Sequence, residues 1–181
     1  MNPESSFPPL IESHFRAVLA ATNETQMWPA VLDTRTGDWP EGEHVPQRVY
    51  RLIGAPRGST LYWDQPLVVA ACELSARTGD ARYEEAARAY LRSFLERCID
   101  GNGMFQWGNH IYYDVFEKKV ASFHGGPHEL RPITPAWELF WQEAPERTAQ
   151  YIRTMAERHV YDPETGGFNR HDDGRRGHAF L

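Results

Sequence analysis

The sequence has little of what marks several large classes of protein. Two cysteines, Cys72 and Cys98, are too few for a disulfide framework and fit no metal-binding pattern. No apolar run approaches the ~20 residues that span a membrane, and the N-terminus lacks the basic and apolar regions of a secretory signal. Basic residues number 19 against 25 acidic ones, and this net charge of −6 disfavours nucleic-acid binding. These absences predict a cytoplasmic protein with neither a membrane nor a nucleic-acid partner.

Aromatic residues, by contrast, are abundant. Six tryptophans, eight tyrosines and nine phenylalanines make up 13% of the 181 residues. Side chains of this size either fill a core or face a ligand. A chain of this length usually forms one domain with a sizeable core, so we expect residues 1–181 to be a single domain.

Apolar residues recur at helical intervals in two long stretches. One covers residues 10–19, and the other covers residues 83–98 and is the most regular of the chain. Asp80 stands just before the second stretch, where a carboxylate accepts hydrogen bonds from the first free N–H groups of a helix. Asp80 is therefore predicted to be the N-cap of that helix.

Three further helices are indicated by composition and by the placement of proline. Residues 67–74 are apolar nearly all round, which predicts a buried helix with Asp64 as its N-cap and Pro66 in its first turn. The other two are predicted to start at Pro135 and at Pro145. On the first of these, the residues predicted to lie in the core are Trp137, Phe140 and Trp141.

Strand signals are weak. The best alternating segment, residues 104–116, is aromatic and bounded by glycines. We predict a short β-hairpin or an extended loop there.

Three segments share an acidic turn followed by glycine and a large aromatic residue. Residues 33–39 (DTRTGDW) resemble residues 162–168 (DPETGGF), and residues 100–105 (DGNGMF) are a looser copy. Consecutive copies start 67 and 62 residues apart, a spacing that holds two helices and two loops. Chance recurrence of common turn residues is the alternative to a repeat.

A repeat of this length predicts a helical hairpin repeated around an axis. The predicted fold class is therefore all-α, an incomplete α/α toroid built from repeated helical hairpins, with the short β-hairpin or extended loop near residues 104–116. Six hairpins of this size need roughly 390 residues. The 181 residues are accordingly predicted to be the N-terminal part of a larger toroid.

Candidate catalytic residues concentrate on glycine-rich segments in the second half of the chain. His110 follows Trp-Gly-Asn, His128 and Glu129 follow Gly-Gly-Pro, and Arg170 and His171 stand together after an asparagine. Two imidazoles and one carboxylate from separate loops suit a borderline divalent cation and leave positions open for water or substrate. The residue types alone leave a second interpretation open, in which these histidines make structural or sugar-contacting hydrogen bonds.

Residues 103–173 resemble the metal-dependent pectate lyases of the second polysaccharide-lyase family, whose fold is an α/α toroid. In that family a His, a Glu and a second His bind a divalent cation, and an Arg directly before the second His acts in proton abstraction. His110, Glu129 and His171 match the three ligands in order and approximate spacing. Arg170 matches the arginine. The resemblance implies a divalent metal as cofactor, typically manganese (Mn2+), with calcium or another divalent ion as the alternative.

The resemblance also implies a substrate and a reaction. The substrate would be an acidic oligosaccharide, pectate or oligogalacturonate, and β-elimination would remove the proton beside the C6 carboxylate and expel the C4 oxygen. Arg170 is implied as the group that takes the proton. A guanidine holds its own proton firmly, so an electrostatic role is the alternative. The residues expected to bind the substrate are Trp107 and Tyr112, as ring surfaces for sugars, and His128 and Arg131, as polar contacts.

Two other classes of function fit parts of the pattern. An α/α-toroid sugar epimerase or glycuronyl hydrolase would use His110, His128 and His171 as acid–base groups without a metal. An open helical solenoid would bind carbohydrate through exposed aromatic residues without chemistry. The grouping of His, Glu and Arg on loops favours an enzyme, and the lyase is the leading hypothesis.

Overall fold

The computed structural model describes residues 7–40, 57–108, 111–122 and 136–170, which form helices and two small antiparallel sheets. The helices are α1 (Phe7–Ala21), α2 (Leu61–Thr78), α3 (Arg82–Arg97), α4 (Trp137–Glu143) and α5 (Pro145–His159). The strands are β1 (Gly58–Ser59), β2 (Ile111–Asp114), β3 (Lys119–Ser122), β4 (Val160–Asp162) and β5 (Gly167–Phe168). Over the described residues, no helix combines the length and the apolar character needed to cross a membrane.

Helices pair in the order in which they follow one another. Helix α2 packs against α3, α4 packs against α5, and α3 contacts α4, so two helical hairpins are joined in succession. A mostly helical chain is thus confirmed, whereas the ring of a toroid stays a prediction. Two small antiparallel sheets accompany the helices: β1, β2 and β3 form one sheet in that order, and β4 pairs with β5. The sequence predicted one hairpin, and it did not predict β1 or the β4–β5 pair.

The connection between α2 and α3 agrees in part with the prediction. Gly79 adopts a left-handed conformation (φ 74°) after the last turn of α2, and its N–H donates to the carbonyl of Ser75 at 2.9 Å. Asp80 Oδ1 then accepts the backbone N–H of Arg82 at 3.1 Å. Asp80 thus accepts an N–H group in the first turn of α3, but the residue directly before the helix is Ala81, so the predicted cap position is off by one residue.

The start of α2 differs from the prediction. The helix begins at Leu61, so Asp64 lies in its first turn instead of capping it, and Pro66 lies inside the helix. Proline has no N–H to donate to the carbonyl four residues earlier, which is that of Tyr62. The side-chain amide of Gln65 donates to this carbonyl oxygen instead, at 3.1 Å.

The three predicted repeat segments fold into the same kind of turn. In each, the aspartate carboxylate accepts backbone N–H groups from residues further along the turn, which closes an Asx turn. The donors are Arg35 to Asp33 (2.9 Å), Asn102 and Met104 to Asp100 (2.8 and 2.9 Å), and Glu164 and Thr165 to Asp162 (3.1 and 3.3 Å). Each turn also holds a glycine in the left-handed region: Gly37 (φ 73°), Gly103 (φ 87°) and Gly166 (φ 72°). The repeat is therefore present as local structure.

The β-hairpin lies further along the chain than predicted. Strand β2 pairs with β3, and the register places Ile111 opposite Ser122. Residues 104–108 lie outside the hairpin, and Phe116 lies in its turn. The predicted segment 104–116 therefore contains only one of the two strands.

A fourth Asx turn joins these strands. Asp114 Oδ1 accepts the backbone N–H of Phe116 at 3.0 Å and of Glu117 at 2.9 Å. Lys118 takes the left-handed conformation (φ 53°) that glycine takes in the other three turns. Because lysine gives no signal for such a conformation, the sequence pattern did not predict this turn.

The core between the two helical hairpins is aromatic. The ring of Phe105 stacks on that of Tyr151 at 3.9 Å between centroids. Its centroid also lies 5.2–5.5 Å from those of Trp107, Phe94 and Phe140. All five side chains are at most 3% exposed. They come from α3, from the segment after it, and from α4 and α5, so this aromatic cluster joins both hairpins.

Two predictions about burial on the helices are wrong. Trp141 was expected in the core, but it is 51% exposed, while Phe140 and Trp137 face the cluster. Successive residues of a helix point about 100° apart, so one short helix does not bury both Phe140 and Trp141 against one neighbour. Helix α2 is not buried all round either, because Val69 is 42% exposed.

Candidate active site

The described residues flank the predicted site but do not include its metal ligands. Five predicted site residues lie outside the described ranges: His110, His128, Glu129, Arg131 and His171. Among the residues that the structure describes, no group of three or more His, Cys, Asp or Glu side chains is arranged to hold a metal ion. Near the ends of the described ranges, hydrogen bonds fix the backbone that leads into these residues.

Two of the segments that carry predicted site residues, 109–110 and 123–135, join the β2–β3 hairpin at the same end. Ile111 starts β2 and is the register partner of Ser122, which ends β3. Residues 109–110 come directly before Ile111, and residues 123–135 come directly after Ser122. Antiparallel pairing therefore brings the attachment points of both ranges together.

Trp107, expected to offer a surface for sugar stacking, belongs to the core. Its side chain is 1% exposed, and its ring packs between those of Phe94 and Phe105 at 5.5 and 5.2 Å. The indole Nε1 donates to the hydroxyl of Tyr151 on α5 at 3.0 Å. A ring enclosed in this way has no free face for a sugar. Trp107 instead ties the chain three residues before His110 to α5.

Tyr112 lies on the less buried face of β2. Burial alternates along this strand because successive side chains point to opposite faces, with Ile111 buried and Tyr112 half-buried. Burial, together with the nearby carboxylate of Asp114, raises the pKa of the Tyr112 hydroxyl. The hydroxyl therefore stays protonated at neutral pH and can donate a hydrogen bond.

Arg170 follows a buried link to the end of α5. The N–H of Asn169 donates to the carbonyl of His159 at 2.7 Å. The ring Nδ1 of His159 lies 2.6 Å from the carbonyl oxygen of Asn169. Arg170 itself is half-buried, and His171 comes next in the chain. Both residues thus follow a backbone that is held in place.

A third link precedes α4. The Oε1 of Gln65, on α2, accepts the backbone N–H of Ala136 at 2.8 Å. Gln65 is 3% exposed, and its amide nitrogen is the group that donates to Tyr62. One side chain thus connects the first hairpin with the point where the chain returns from residues 123–135.

A hydrogen-bonded chain through the half-buried Asp64 was not predicted. The hydroxyl of Tyr90 donates to Asp64 Oδ2 at 2.8 Å and lies 2.7 Å from Ser59 Oγ. When Asp64 is ionised, the one hydroxyl hydrogen of Tyr90 goes to the carboxylate, so Ser59 is then the donor of the second bond. Burial raises the pKa of Asp64 to about 7, and hydrogen bonds from Tyr90 and from the backbone of Thr60 oppose this only in part. Ser59 pairs with Tyr113 of β2, so the chain leads to the strand that follows His110.

The family model of the periplasmic pectate lyases matches residues 59–179. This match covers more than half of the chain and includes helices α2 to α5 and every predicted site residue. The chain therefore belongs to this family of lyases.

A curated relative agrees with this membership. The pectate disaccharide-lyase of Dickeya dadantii (strain 3937) is 31% identical to the chain over 106 residues. Those residues make up 57% of this chain and 20% of the relative. The chain thus spans about a fifth of the length of the relative that it matches.

The family's periplasmic description contradicts the expected cytoplasmic location. That expectation rested partly on two unpaired cysteines. Cys98 is buried, and burial raises its pKa to about 12, while Cys72 is half-buried with a raised pKa for the same reason. Protonated thiols shielded from solvent react slowly with oxidants in any compartment, so the cysteines are no argument for a reducing one.

Proposed function

We propose that this chain is part of a polysaccharide lyase that cleaves pectate or oligogalacturonate by metal-assisted β-elimination. The observation that carries the proposal is the family match, because residues 59–179 contain the whole expected catalytic set. That set is His110, Glu129, Arg170 and His171. The name of the Dickeya dadantii relative supports an acidic oligosaccharide as the substrate.

His110, Glu129 and His171 fit a divalent cation by the chemistry of their donor atoms. Two imidazole nitrogens and one carboxylate oxygen form a mixed set that suits manganese and leaves room for further oxygen ligands. We propose all three residues as ligands, with calcium or another divalent ion as the alternative. When bound, the cation would neutralise the substrate carboxylate and supply Lewis acidity beside the reacting carbon.

Arg170 is proposed to act on the proton that leaves C5 of the galacturonate. Elimination breaks the C5–H and C4–O bonds and forms a C4–C5 double bond, so one proton is taken from C5 and one is delivered to the leaving oxygen. Arg170 would either take the first proton or stabilise the negative charge that develops beside the carboxylate. The hydrogen bonds of Asn169 support both roles, because a fixed backbone limits where the guanidinium reaches.

Tyr112, His128 and Arg131 are proposed as contacts to the sugar chain. Tyr112 is half-buried on the strand that begins directly after His110, and its protonated hydroxyl is a hydrogen-bond donor. An arginine such as Arg131 can pair with a uronate carboxylate through two parallel hydrogen bonds. Trp107 is left out of this set because its ring is enclosed in the core.

Metal binding and elimination can be tested separately. We expect the wild-type chain to bind manganese in a calorimetric titration. His110→Ala and His171→Ala should weaken binding by more than about tenfold, because each removes one of three protein ligands. Arg170→Ala should bind manganese as the wild type does but lose formation of the unsaturated product from polygalacturonate, followed by ultraviolet absorbance. Metal binding is the primary measurement, since the chain spans about a fifth of its relative.

His14→Ala is the matched control. His14 is an exposed histidine on α1, outside the proposed site, so its loss should leave manganese binding unchanged. Full metal binding in both His110→Ala and His171→Ala would contradict the ligand assignment. Product formation by Arg170→Ala at the wild-type rate would contradict the role of Arg170.

A further inference from the structure

We propose that His159 is a positioning residue for the Arg170–His171 pair. Its ring ties the backbone of Asn169 to the end of α5 and so fixes the backbone that leads into Arg170. The tie itself does not depend on any activity. Its consequence for metal binding and elimination rests on the proposed function.

Two hydrogen bonds link His159 to Asn169. The Asn169 N–H donates to the His159 carbonyl at 2.7 Å, and the His159 ring reaches the Asn169 carbonyl at 2.6 Å. His159 is 0% exposed and Asn169 is 2% exposed, so water does not compete for these bonds. The two residues therefore hold each other through both backbone polar groups of Asn169.

The His159 ring is fixed in orientation as well as in place. A carbonyl oxygen only accepts hydrogen bonds, so Nδ1 must carry the proton that it shares with Asn169. The ring also stacks on Phe168, with 5.2 Å between centroids and 13° between planes. Stacking and hydrogen bonding restrict both side-chain torsions, and the ring therefore acts as a rigid support.

The Asp100 turn has the backbone hydrogen bond of this link but not the side-chain one. There the N–H of Gln106 donates to the carbonyl of Cys98 at 2.6 Å, so the backbone bond recurs at the end of α3. The side chain at that position is a cysteine, whose thiol is only a weak donor. The histidine bond is thus an addition at the turn that leads to Arg170 and His171, beyond what the turn itself requires.

Helix α5 also holds the segment that precedes His110. Tyr151 accepts the indole N–H of Trp107, three residues before His110, and His159 lies eight residues further along the same helix. At 1.5 Å per residue, the two supports are ~12 Å apart. One helix thus holds the chain before both proposed histidine ligands, and His159 is the support nearer to His171.

The test compares three variants in exchange and in metal binding. His159→Leu removes the donor, and we expect the Asn169 amide to exchange with deuterium about tenfold faster or more, and manganese to bind about tenfold more weakly. His159→Asn places an amide N–H near the position of Nδ1 and should recover most of both losses. Thr154→Val is the matched control, because Thr154 is also buried on α5 and donates to the Asn102 carbonyl at 2.9 Å. It should leave exchange at Asn169 and manganese affinity within about twofold of the wild type.

Several outcomes would overturn the proposal. One is unchanged exchange at Asn169 in His159→Leu; another is equal loss of manganese affinity in Thr154→Val, which would show a general effect of destabilising α5. If His159→Leu does not fold, His159→Phe keeps a ring against Phe168 but has no donor, and unchanged exchange at Asn169 in that variant overturns the proposal equally. A wild-type chain that binds no manganese would defeat the proposed function, while exchange at Asn169 would still decide whether His159 holds this segment.

Discussion

At the scale of single residues, Asp64 shows how burial changes the chemistry of one side chain. Removal from water disfavours its ionised form and raises its pKa to about 7. Its partner Tyr90 is fully buried, and both burial and the charge of Asp64 raise the pKa of that phenol. Near neutral pH the Asp64 carboxyl therefore changes protonation inside the fold, and the stability of the fold must follow.

Stability should fall as the pH rises through the range in which Asp64 ionises. The folded state holds this proton up to about pH 7, whereas an unfolded aspartate releases it near 3.8, so the folded state binds more protons between these values. Relative to Asp64→Asn, which does not ionise, the wild type should lose roughly 2–4 kcal/mol of unfolding free energy between about pH 4 and about pH 8. Urea unfolding of both proteins across this range measures the difference.

Glu138→Gln is the control for this experiment, because Glu138 is an exposed carboxylate on α4. Its unfolding free energy should follow that of the wild type at each pH. Parallel curves for the wild type and Asp64→Asn would mean that Asp64 titrates alike in the folded and unfolded chain. Burial would then not control this carboxyl.

Asp64 also shows what a linear pattern does not contain. The sequence predicted a helix cap, because an acidic residue before an apolar run usually serves as one. Its actual partner Tyr90 stands 26 residues away on the next helix, and only the packing of α2 on α3 brings them together. The burial of Trp107 was missed for the same reason, since its hydrogen-bond partner Tyr151 is 44 residues away.

At the scale of elements, the turns were predictable because their chemistry is local. An aspartate that accepts N–H groups a few residues ahead, and a glycine that supplies a positive φ, lie within one short segment. The turns at Asp33, Asp100 and Asp162 all follow this rule. The turn at Asp114 follows it only in part, because Lys118 takes the left-handed conformation, and so it was not predicted.

The connection between α2 and α4 depends on Gln65, whose side-chain amide replaces the backbone N–H that Pro66 lacks. Gln65→Leu would leave the Tyr62 carbonyl and the Ala136 N–H without this partner, and we expect it to cost roughly 2 kcal/mol. Pro66→Ala would restore a backbone N–H opposite the Tyr62 carbonyl. In that background, Gln65→Leu should cost about 1 kcal/mol less. Urea unfolding of the four proteins of this double-mutant cycle measures the coupling.

Gln142→Leu serves as the control for loss of an amide, since Gln142 is exposed on α4. Its unfolding free energy should stay within about 0.5 kcal/mol of the wild type. Equal costs of Gln65→Leu with proline and with alanine at position 66 would show that the Gln65 amide does not replace the missing N–H. The role of Gln65 would then be limited to its bond with Ala136.

At the scale of the whole molecule, the sequence predicted the units of the fold better than their assembly. Helical periodicity and the spacing of the Asp turns indicated helical hairpins, and the structure has two in succession. Closure into a ring depends on contacts between distant units, which neither periodicity nor spacing contains. The proposed metal site is a similar case: His110, Glu129 and His171 are far apart in sequence, so only resemblance to a family grouped them.

The two hairpins share one aromatic cluster and should therefore unfold together. Phe105 lies at its centre, with its ring against one ring from α3, one from α4 and one from α5. Phe105→Ala should cost about 3–5 kcal/mol. Helix content by circular dichroism and tryptophan fluorescence should change in a single urea transition, before and after the substitution.

Ile152→Ala, at a position 37% exposed on α5, should shift this transition little. Separate transitions for the two signals in the wild type would show that each hairpin is stable without the other, and that the cluster does not couple them.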